Sequence, residues 1–126
     1  ADTSFRNFTL GQEGDQYVVR LRTTETSANG IPSISSPAGS LTTERTHFVY
    51  TRSADGAVHM YKNGSEVTHE QIKGDLSNWD DGYSLALTNE MTRDRPWLGD
   101  LYLVAIYKRA LSSAEVAQNF RAGVPD

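Results

Sequence analysis

Short stretches rich in valine, tyrosine, phenylalanine, leucine and threonine alternate along the chain with glycine, asparagine and aspartate at nearly regular spacing. β-Branched and aromatic residues favour strands, and the residues between them favour turns, so the pattern is typical of an antiparallel all-β fold. It predicts strands near residues 5–10, 16–23, 46–53, 57–62, 83–88 and 99–108.

The clearest local unit is the run HFVYTRSADGAVHMYKNGSEV, which contains the turn dipeptides Asp55-Gly56 and Asn63-Gly64. Both dipeptides readily adopt the positive φ angles of a tight hairpin turn. A two-residue turn at Asp55-Gly56 would place Tyr50 opposite Tyr61. Between residues 24 and 43 the composition shifts to serine, threonine, glycine and proline, which predicts a loop or short edge pieces rather than an interdomain linker.

The run IYKRALSSAEVAQNFRAG predicts a helix near the C-terminus. Ser112 and Glu115 match the S-x-x-E capping box that satisfies free backbone N–H groups at a helix start. Val116 and Phe120 share one face, and Gly123 follows as a stop signal. A helix of about three turns is marginal alone, so we expect Val116 and Phe120 to dock on a sheet.

Composition and charge restrict the possible functions. The net charge of −4 and the pI near 5.3 speak against nucleic acid, whose binding needs clustered lysine and arginine. The chain has no cysteine, which excludes disulfides, thiolate zinc sites and cysteine nucleophiles. No apolar run approaches the roughly 20 residues that span a bilayer, so membrane insertion is not expected.

Three segments together resemble a known family. GDLYLVAIYKRALSSAEVAQNF resembles the closing strand, Arg-Ala-Leu corner and short helix of laminin-G-like domains of the concanavalin A-like lectin/glucanase superfamily. THFVYTRSADGAVHMYKNGSEV resembles the family's central hairpin, and LSNWDDGYSLALTNEMTRDRPWLGDLYL is similar to a bacterial subgroup. The resemblance, over residues 5–123, implies an antiparallel jelly-roll β-sandwich with one short C-terminal helix, formed by residues 1–126 as a single domain.

The sequence differs from the family pattern in two ways, and each limits which family features can be expected in this chain. Relatives begin with further strands, so this chain is expected to be a fragment of a longer chain or to leave an open N-terminal edge. A second protomer, giving a homodimer, or a partner domain would cover that edge. Many relatives also have an acidic pair where this chain has Tyr102-Leu103, so a calcium site cannot simply be transferred.

Catalysis is not predicted. Glycoside cleavage needs two carboxyl groups facing one cleft, whereas Glu44, Glu66 and Asp100 are solitary and no nucleophile elbow is present. Glycoside hydrolysis therefore stays the weaker alternative. His47 and His59 would lie out of register, and His69 is expected in a polar loop, so ordinary histidines are favoured over metal ligands.

Calcium is the one possible cofactor, because oxygen donors are plentiful in NWDDG and TRDRPWLGD. Its candidate ligands are Asp80, Asp81 and Asp100. The favoured alternative is that Asp80-Asp81-Gly82 forms a turn in which aspartate caps its own backbone.

Exposed aromatic residues indicate a binding role. Trp79 and Trp97 are expected in loops beside polar residues, where sugar C–H faces can stack on the rings and polar groups can bind hydroxyls. The candidate ligand-binding residues are Asn78, Trp79, Asp80, Tyr83, Asn89, Arg93, Asp94, Arg95 and Trp97. Alternatively, Trp97 belongs to the core and the charged residues around Asp94 are a solvated ion-pair cluster.

The resemblance implies a non-catalytic carbohydrate- or glycan-binding module of an extracellular protein, secreted or held at the periplasmic side or cell surface. A structural or protein–protein interaction module with no sugar ligand is the alternative, since one fold serves many functions.

Overall fold

The computed structural model describes residues 4–89, 93–94 and 96–124. Within them lie six strands and one helix. They are β1 (Phe8–Glu13), β2 (Gln16–Leu21), β3 (Ile34–Ser35), β4 (Phe48–Arg52), β5 (Ala57–Lys62), β6 (Ser65–Gln71) and α1 (Ser113–Ala122). The strands form two antiparallel sheets, a first sheet of order β1-β2-β3 and a second sheet of order β4-β5-β6. No helix among the described residues is long and apolar enough to cross a membrane.

The main core lies between the two sheets. Val19 of β2 belongs to the same buried cluster as Val58 and Met60 of β5. The ring of Tyr17 also stacks on that of Phe48, with 4.1 Å between the ring centroids. The sheets therefore face each other across shared apolar side chains, which confirms the predicted β-sandwich with one C-terminal helix.

The hairpin of β4 and β5 has a three-residue turn rather than the predicted two-residue turn. The backbone N–H of Ser53 donates to the carbonyl of Ala57 at 3.0 Å, and Tyr50 pairs with Met60 instead of Tyr61. A slip of one residue exchanges the two faces of a strand. Tyr50 consequently packs against the core between the sheets, and Tyr61 points to the outer face, toward the helix.

Strand β6 was not predicted, and the expectation that His69 lies in a loop is wrong. Asn63 and Gly64 have φ angles of 51° and 83° and form the predicted tight turn, after which the chain continues as β6 beside β5. The strand was missed because its sequence, SEVTHEQ, is mostly polar. A strand with one solvated face needs few apolar residues.

The predicted strands at residues 83–88 and 99–108 are wrong, since neither is a strand in the structure. An alternating apolar pattern becomes a strand only where a neighbouring strand pairs with its backbone, and this region joins neither sheet. Its apolar side chains are accordingly exposed, for example Tyr102 at 60% and Ile106 at 64%. The short edge piece expected between residues 24 and 43 is found as β3.

Helix α1 has both predicted features, its capping box and its docking. Ser112 accepts a hydrogen bond from the Glu115 backbone, and the Glu115 side chain accepts one from the Ser112 backbone. Val116 is fully buried in a cluster with Tyr61 of the second sheet. Phe120 lies against the ring of His47, at a centroid distance of 5.9 Å.

The Glu115 carboxylate at the helix start makes the stability of the fold depend on pH in the acidic range. Arg109 donates two hydrogen bonds to Glu115, at 2.9 and 2.5 Å. These bonds, with that from the Ser112 backbone, lower the pKa of Glu115 from its ordinary 4.5 to about 2. Because the folded-state pKa is depressed, the ionised carboxylate stabilises the fold fully above about pH 4.5, and this contribution is lost as pH falls toward 2.

We expect Glu115→Gln to flatten the dependence of melting temperature on pH between about 5 and 2, relative to the unaltered protein, because the amide cannot titrate. Thermal melts followed by circular dichroism across that range would measure it. Glu44→Gln, at an exposed residue outside the helix, should retain the steeper dependence. Equal slopes for the protein and for Glu115→Gln would contradict the prediction.

Candidate functional site

The segment that carries Trp79 is held rigidly against the first sheet. We call residues 76–83 the Trp79 loop. The Asn7 side chain, only 6% exposed, donates from Nδ2 to the Asp80 carbonyl at 2.8 Å and accepts from the Asp80 N–H at 3.0 Å. An amide side chain thus gives the loop the two hydrogen bonds that a neighbouring strand would give.

Arg22 is a second clamp on this loop. Its Nη2 donates to Asn7 Oδ1 at 2.9 Å and to the Asn78 carbonyl at 2.5 Å. The guanidinium carbon also lies 5.4 Å from the ring centroid of Tyr83, within range of a cation–π interaction. One arginine after β2 therefore contacts both ends of the loop.

Trp79 is the largest exposed group of the loop. Its side chain is 42% exposed and is stacked with Phe8 of β1, with ring centroids 6.0 Å apart and an angle of 23° between the planes. Phe8 supports the indole, while the backbone on both sides of Trp79 is fixed by Asn7 and Arg22. The result is an exposed aromatic surface with restricted mobility.

The acidic residues of the loop take part in turns. Asp80 Oδ1 accepts a hydrogen bond from the Gly82 N–H at 2.9 Å, as the turn interpretation predicts. Two hydrogen bonds from Ser77, the first from its hydroxyl, lower the pKa of the nearby Asp75. Asp81 and Asp100 are exposed, and the calcium site on Asp80, Asp81 and Asp100 stays a prediction.

The remaining candidate ligand-binding residues lie elsewhere. The half-buried Trp97 belongs to neither core cluster of the described residues. The next residue, Leu98, makes two backbone hydrogen bonds to the Gln12 side chain. Phe8 and Gln12 are four residues apart on β1, or about 13 Å, so the two tryptophan regions meet different ends of this strand.

The structure therefore brings only some of the predicted ligand-binding residues together in one loop. Four of its members share the Trp79 loop, namely Asn78, Trp79, Asp80 and Tyr83. Asn89, Arg93 and Asp94 lie on the connection from residue 84 to residue 97, and Arg95 is outside the described residues.

Sequence reasoning missed three residues of this site, Asn7, Phe8 and Arg22. They precede the loop by more than fifty residues, and nothing in their local sequence marks them as partners of Trp79. An asparagine or arginine that flanks a strand is common and predicts no particular partner. The hydrogen bonds of Asn7 and Arg22 to the Trp79 loop are therefore visible only in the folded chain.

A second polar cluster lies on the outer face of the second sheet. Among the described residues, His59, Glu66 and His69 form the group whose histidine nitrogens and carboxylate oxygen lie within 4.8 Å of one another. His59 Nδ1 hydrogen-bonds to Glu66 Oε1, and the rings of His59 and His69 stack with centroids 4.3 Å apart. Burial, and to a smaller extent the Glu66 charge, raise the pKa of the adjacent Tyr61.

The comparison with family models agrees with the fold. The family model described as the concanavalin A-like lectin/glucanases superfamily, of laminin-G type, matches residues 1–117. A crystal structure of an S-layer domain-containing protein (residues 221–444) from Clostridium thermocellum is similar, with 20% identity, a TM-score of 0.47, and coverage of 82% of this chain. The chain spans about half, 50%, of that solved chain. Comparison with curated proteins gave no significant match.

Proposed function

Because the chain belongs to the concanavalin A-like lectin/glucanase superfamily, we propose that it is a non-catalytic carbohydrate-binding domain of a secreted or cell-surface protein. The Trp79 loop is the proposed sugar site. The observation that carries this proposal is the exposed indole of Trp79, which is supported by Phe8 and held on a clamped loop.

The chemistry of the loop suits a sugar. Pyranose rings present C–H faces that stack on aromatic rings such as Trp79. Asn78 Nδ2 already donates to the Thr23 carbonyl at 2.9 Å and Asp80 Oδ1 accepts from Gly82, so Asn78 Oδ1 and Asp80 Oδ2 are the atoms proposed to bind hydroxyls. The clamps from Asn7 and Arg22 are already formed, so little conformational freedom is left to lose on binding. Preorganisation of this kind increases affinity without new contacts.

Catalysis is not part of the proposed role. Glycoside hydrolysis needs two carboxyl groups on either side of the scissile bond. In the Trp79 loop, the Asp80 carboxylate is held by its turn hydrogen bond to Gly82, and its chain neighbour Asp81 is exposed. Release of reducing ends from a panel of polysaccharides incubated with the protein would overturn this part of the proposal.

We expect Trp79→Ala to weaken retention on the recognised polysaccharide at least about tenfold, because loss of one aromatic stacking surface costs about 1.4 kcal/mol or more. The melting temperature should fall by no more than a few degrees, since the indole is half exposed. Affinity electrophoresis against a polysaccharide panel measures retention. Tyr107→Ala, which removes another exposed aromatic ring, is the matched control and should bind normally.

A second candidate function is favoured by the exposed apolar residues between positions 98 and 107. Leu98, Tyr102, Leu103 and Ile106 are all more than half exposed, and extensive exposed apolar surface is typical of protein interfaces. In this alternative the domain serves protein–protein assembly and has no sugar ligand. Absence of retention on every glycan, together with a dimer in analytical ultracentrifugation, would support assembly over sugar binding.

A further inference from the structure

Two histidines face each other across β5 and β6. His59 and His69 are directly opposite in the antiparallel register, and residues directly opposite place their side chains on the same face of a sheet. Their rings are stacked with an angle of 17° between the planes. The pair lies on the outer face of the second sheet, away from the core between the sheets, because its neighbours Val58 and Met60 point into that core.

A β-bulge brings a carboxylate to the same face. Glu66 and His69 are three residues apart, so in a regular strand their side chains would point to opposite faces. The register shifts between Met60 and Tyr61, and Glu66 consequently pairs with Tyr61. Tyr61 and His59 are two residues apart and share a face, so the bulge adds Glu66 to the histidine pair.

The spacing of the three side chains suits a small cation. Their ligand atoms lie within 4.8 Å of one another, and a tetrahedral ion with bonds of about 2.0–2.1 Å holds its ligands roughly 3.4 Å apart. The side chains of His59 and Glu66 are 32% and 44% exposed. We expect side-chain rotations at this solvent-accessible surface to close the difference.

We propose that His59, Glu66 and His69 bind one divalent transition-metal ion, Zn²⁺ in preference to Ca²⁺ or Mg²⁺. Two imidazole nitrogens and one carboxylate oxygen form a three-ligand zinc set that leaves the fourth position for water. The hard cations Ca²⁺ and Mg²⁺ select oxygen ligands instead. The ion would replace the hydrogen bond between His59 Nδ1 and Glu66 Oε1, since a metal-bound imidazole nitrogen carries no proton.

The fourth coordination position of the proposed metal ion would face an open groove. A groove of about 370 Å³ adjoins His59 and Glu66 and runs toward the start of α1; its other lining residues include Thr51, Ser53, Tyr61, Leu111, Ser112 and Ser113. Hydroxyl groups on the groove walls can hydrogen-bond a metal-bound water.

The test is calorimetric titration of the metal-free chain, prepared without an oligohistidine tag, with zinc chloride. We expect one ion per chain, at least tenfold weaker binding in His59→Ala and in His69→Ala, and a smaller loss in Glu66→Gln. His47→Ala is the matched control. His47 is the remaining one of the three histidines, and it lies beside Phe120 and not in the proposed metal site. Co²⁺ should give the visible absorption of a tetrahedral site, and excess Ca²⁺ should not displace Zn²⁺.

Unchanged zinc affinity in the double variant His59→Ala/His69→Ala, or no binding by the unaltered chain at 100-fold excess zinc, would overturn the proposal. Thermal melts without metal show whether each variant is folded, and His59→Gln and His69→Gln replace any alanine variant that is not. The site is separate from the proposed sugar site, so Trp79→Ala should bind zinc with unchanged affinity.

Discussion

Val116→Asp should lower the free energy of unfolding by at least about 4 kcal/mol, a large part of the 5–15 kcal/mol of a typical domain. Val116 is fully buried in contact with Tyr61 and Leu111. The change removes about 2 kcal/mol of apolar burial and places a carboxylate in this apolar cluster, which costs several kcal/mol more. Urea denaturation followed by circular dichroism would measure the loss.

Ala114→Asp is the matched control. It adds the same charge to the same helix, but at an exposed residue in the first turn, where the helix dipole favours an anion. We expect its effect to stay within about 0.5 kcal/mol. Equal losses of stability in the two variants would contradict this prediction, as would an unfolding free energy of Val116→Asp close to that of the unaltered protein. In either case the packing of Val116 on Tyr61 and Leu111 would not contribute to the stability of the fold.

Gly56→Ala should also cost about 3 kcal/mol or more. Gly56 has a φ of +87°, and a Cβ atom there would lie 2.4 Å from the Ile72 carbonyl oxygen and 2.6 Å from Gln71 Nε2. The Ile72 N–H donates to the Gly56 carbonyl at 2.9 Å, so the turn is fastened to the chain just after β6. Relieving the clash pulls the buried Ile72 away from the core, which adds lost packing to backbone strain.

Gly14→Ala separates strain from clash. Gly14 has a φ of +59°, but no described atom comes within 4 Å of its would-be Cβ. Alanine there should cost only the left-handed backbone penalty, about 1–2 kcal/mol. Chemical denaturation of both variants would compare them, and equal losses would show that the contact with Ile72 has no energetic weight.

Local signals in the sequence predicted local structure well. The dipeptide Asn63-Gly64 forms the expected turn, and the Ser112 and Glu115 pair forms the expected capping box. Each of these depends on residues a few positions apart, whose hydrogen bonds form whatever the rest of the chain does. The β4–β5 register failed by one residue because a three-residue turn also ends in glycine.

Features that depend on distant partners were predicted poorly. The region at residues 99–108 has the alternation of a strand, but strand formation requires a neighbouring strand to bond with. Strand β6 looks polar because one of its faces meets solvent. For the Trp79 loop, the sequence indicated the exposed indole, whereas the clamps from Asn7 and Arg22 come from the other end of the chain.

The histidine cluster shows the same limit. A polar segment with a histidine gives no sign of its strand pairing, and the bulge that rotates Glu66 onto the face of His59 has no signature in SEVTHEQ. Side chains three positions apart should diverge on a regular strand. Only the observed register places them together.

Tyr61 touches two features that are otherwise far apart along the chain. Its ring lies 6.2 Å from that of His59, and its other contacts include Val116 of the helix. An ion that fixes the side-chain position of His59 would restrict the neighbouring Tyr61 ring as well. The helix packs against that same ring through Val116. If ion binding stabilises the docked helix through Tyr61, thermodynamic reciprocity requires that docking of the helix strengthen ion binding by the same factor, and that loss of the Val116 contact weaken it.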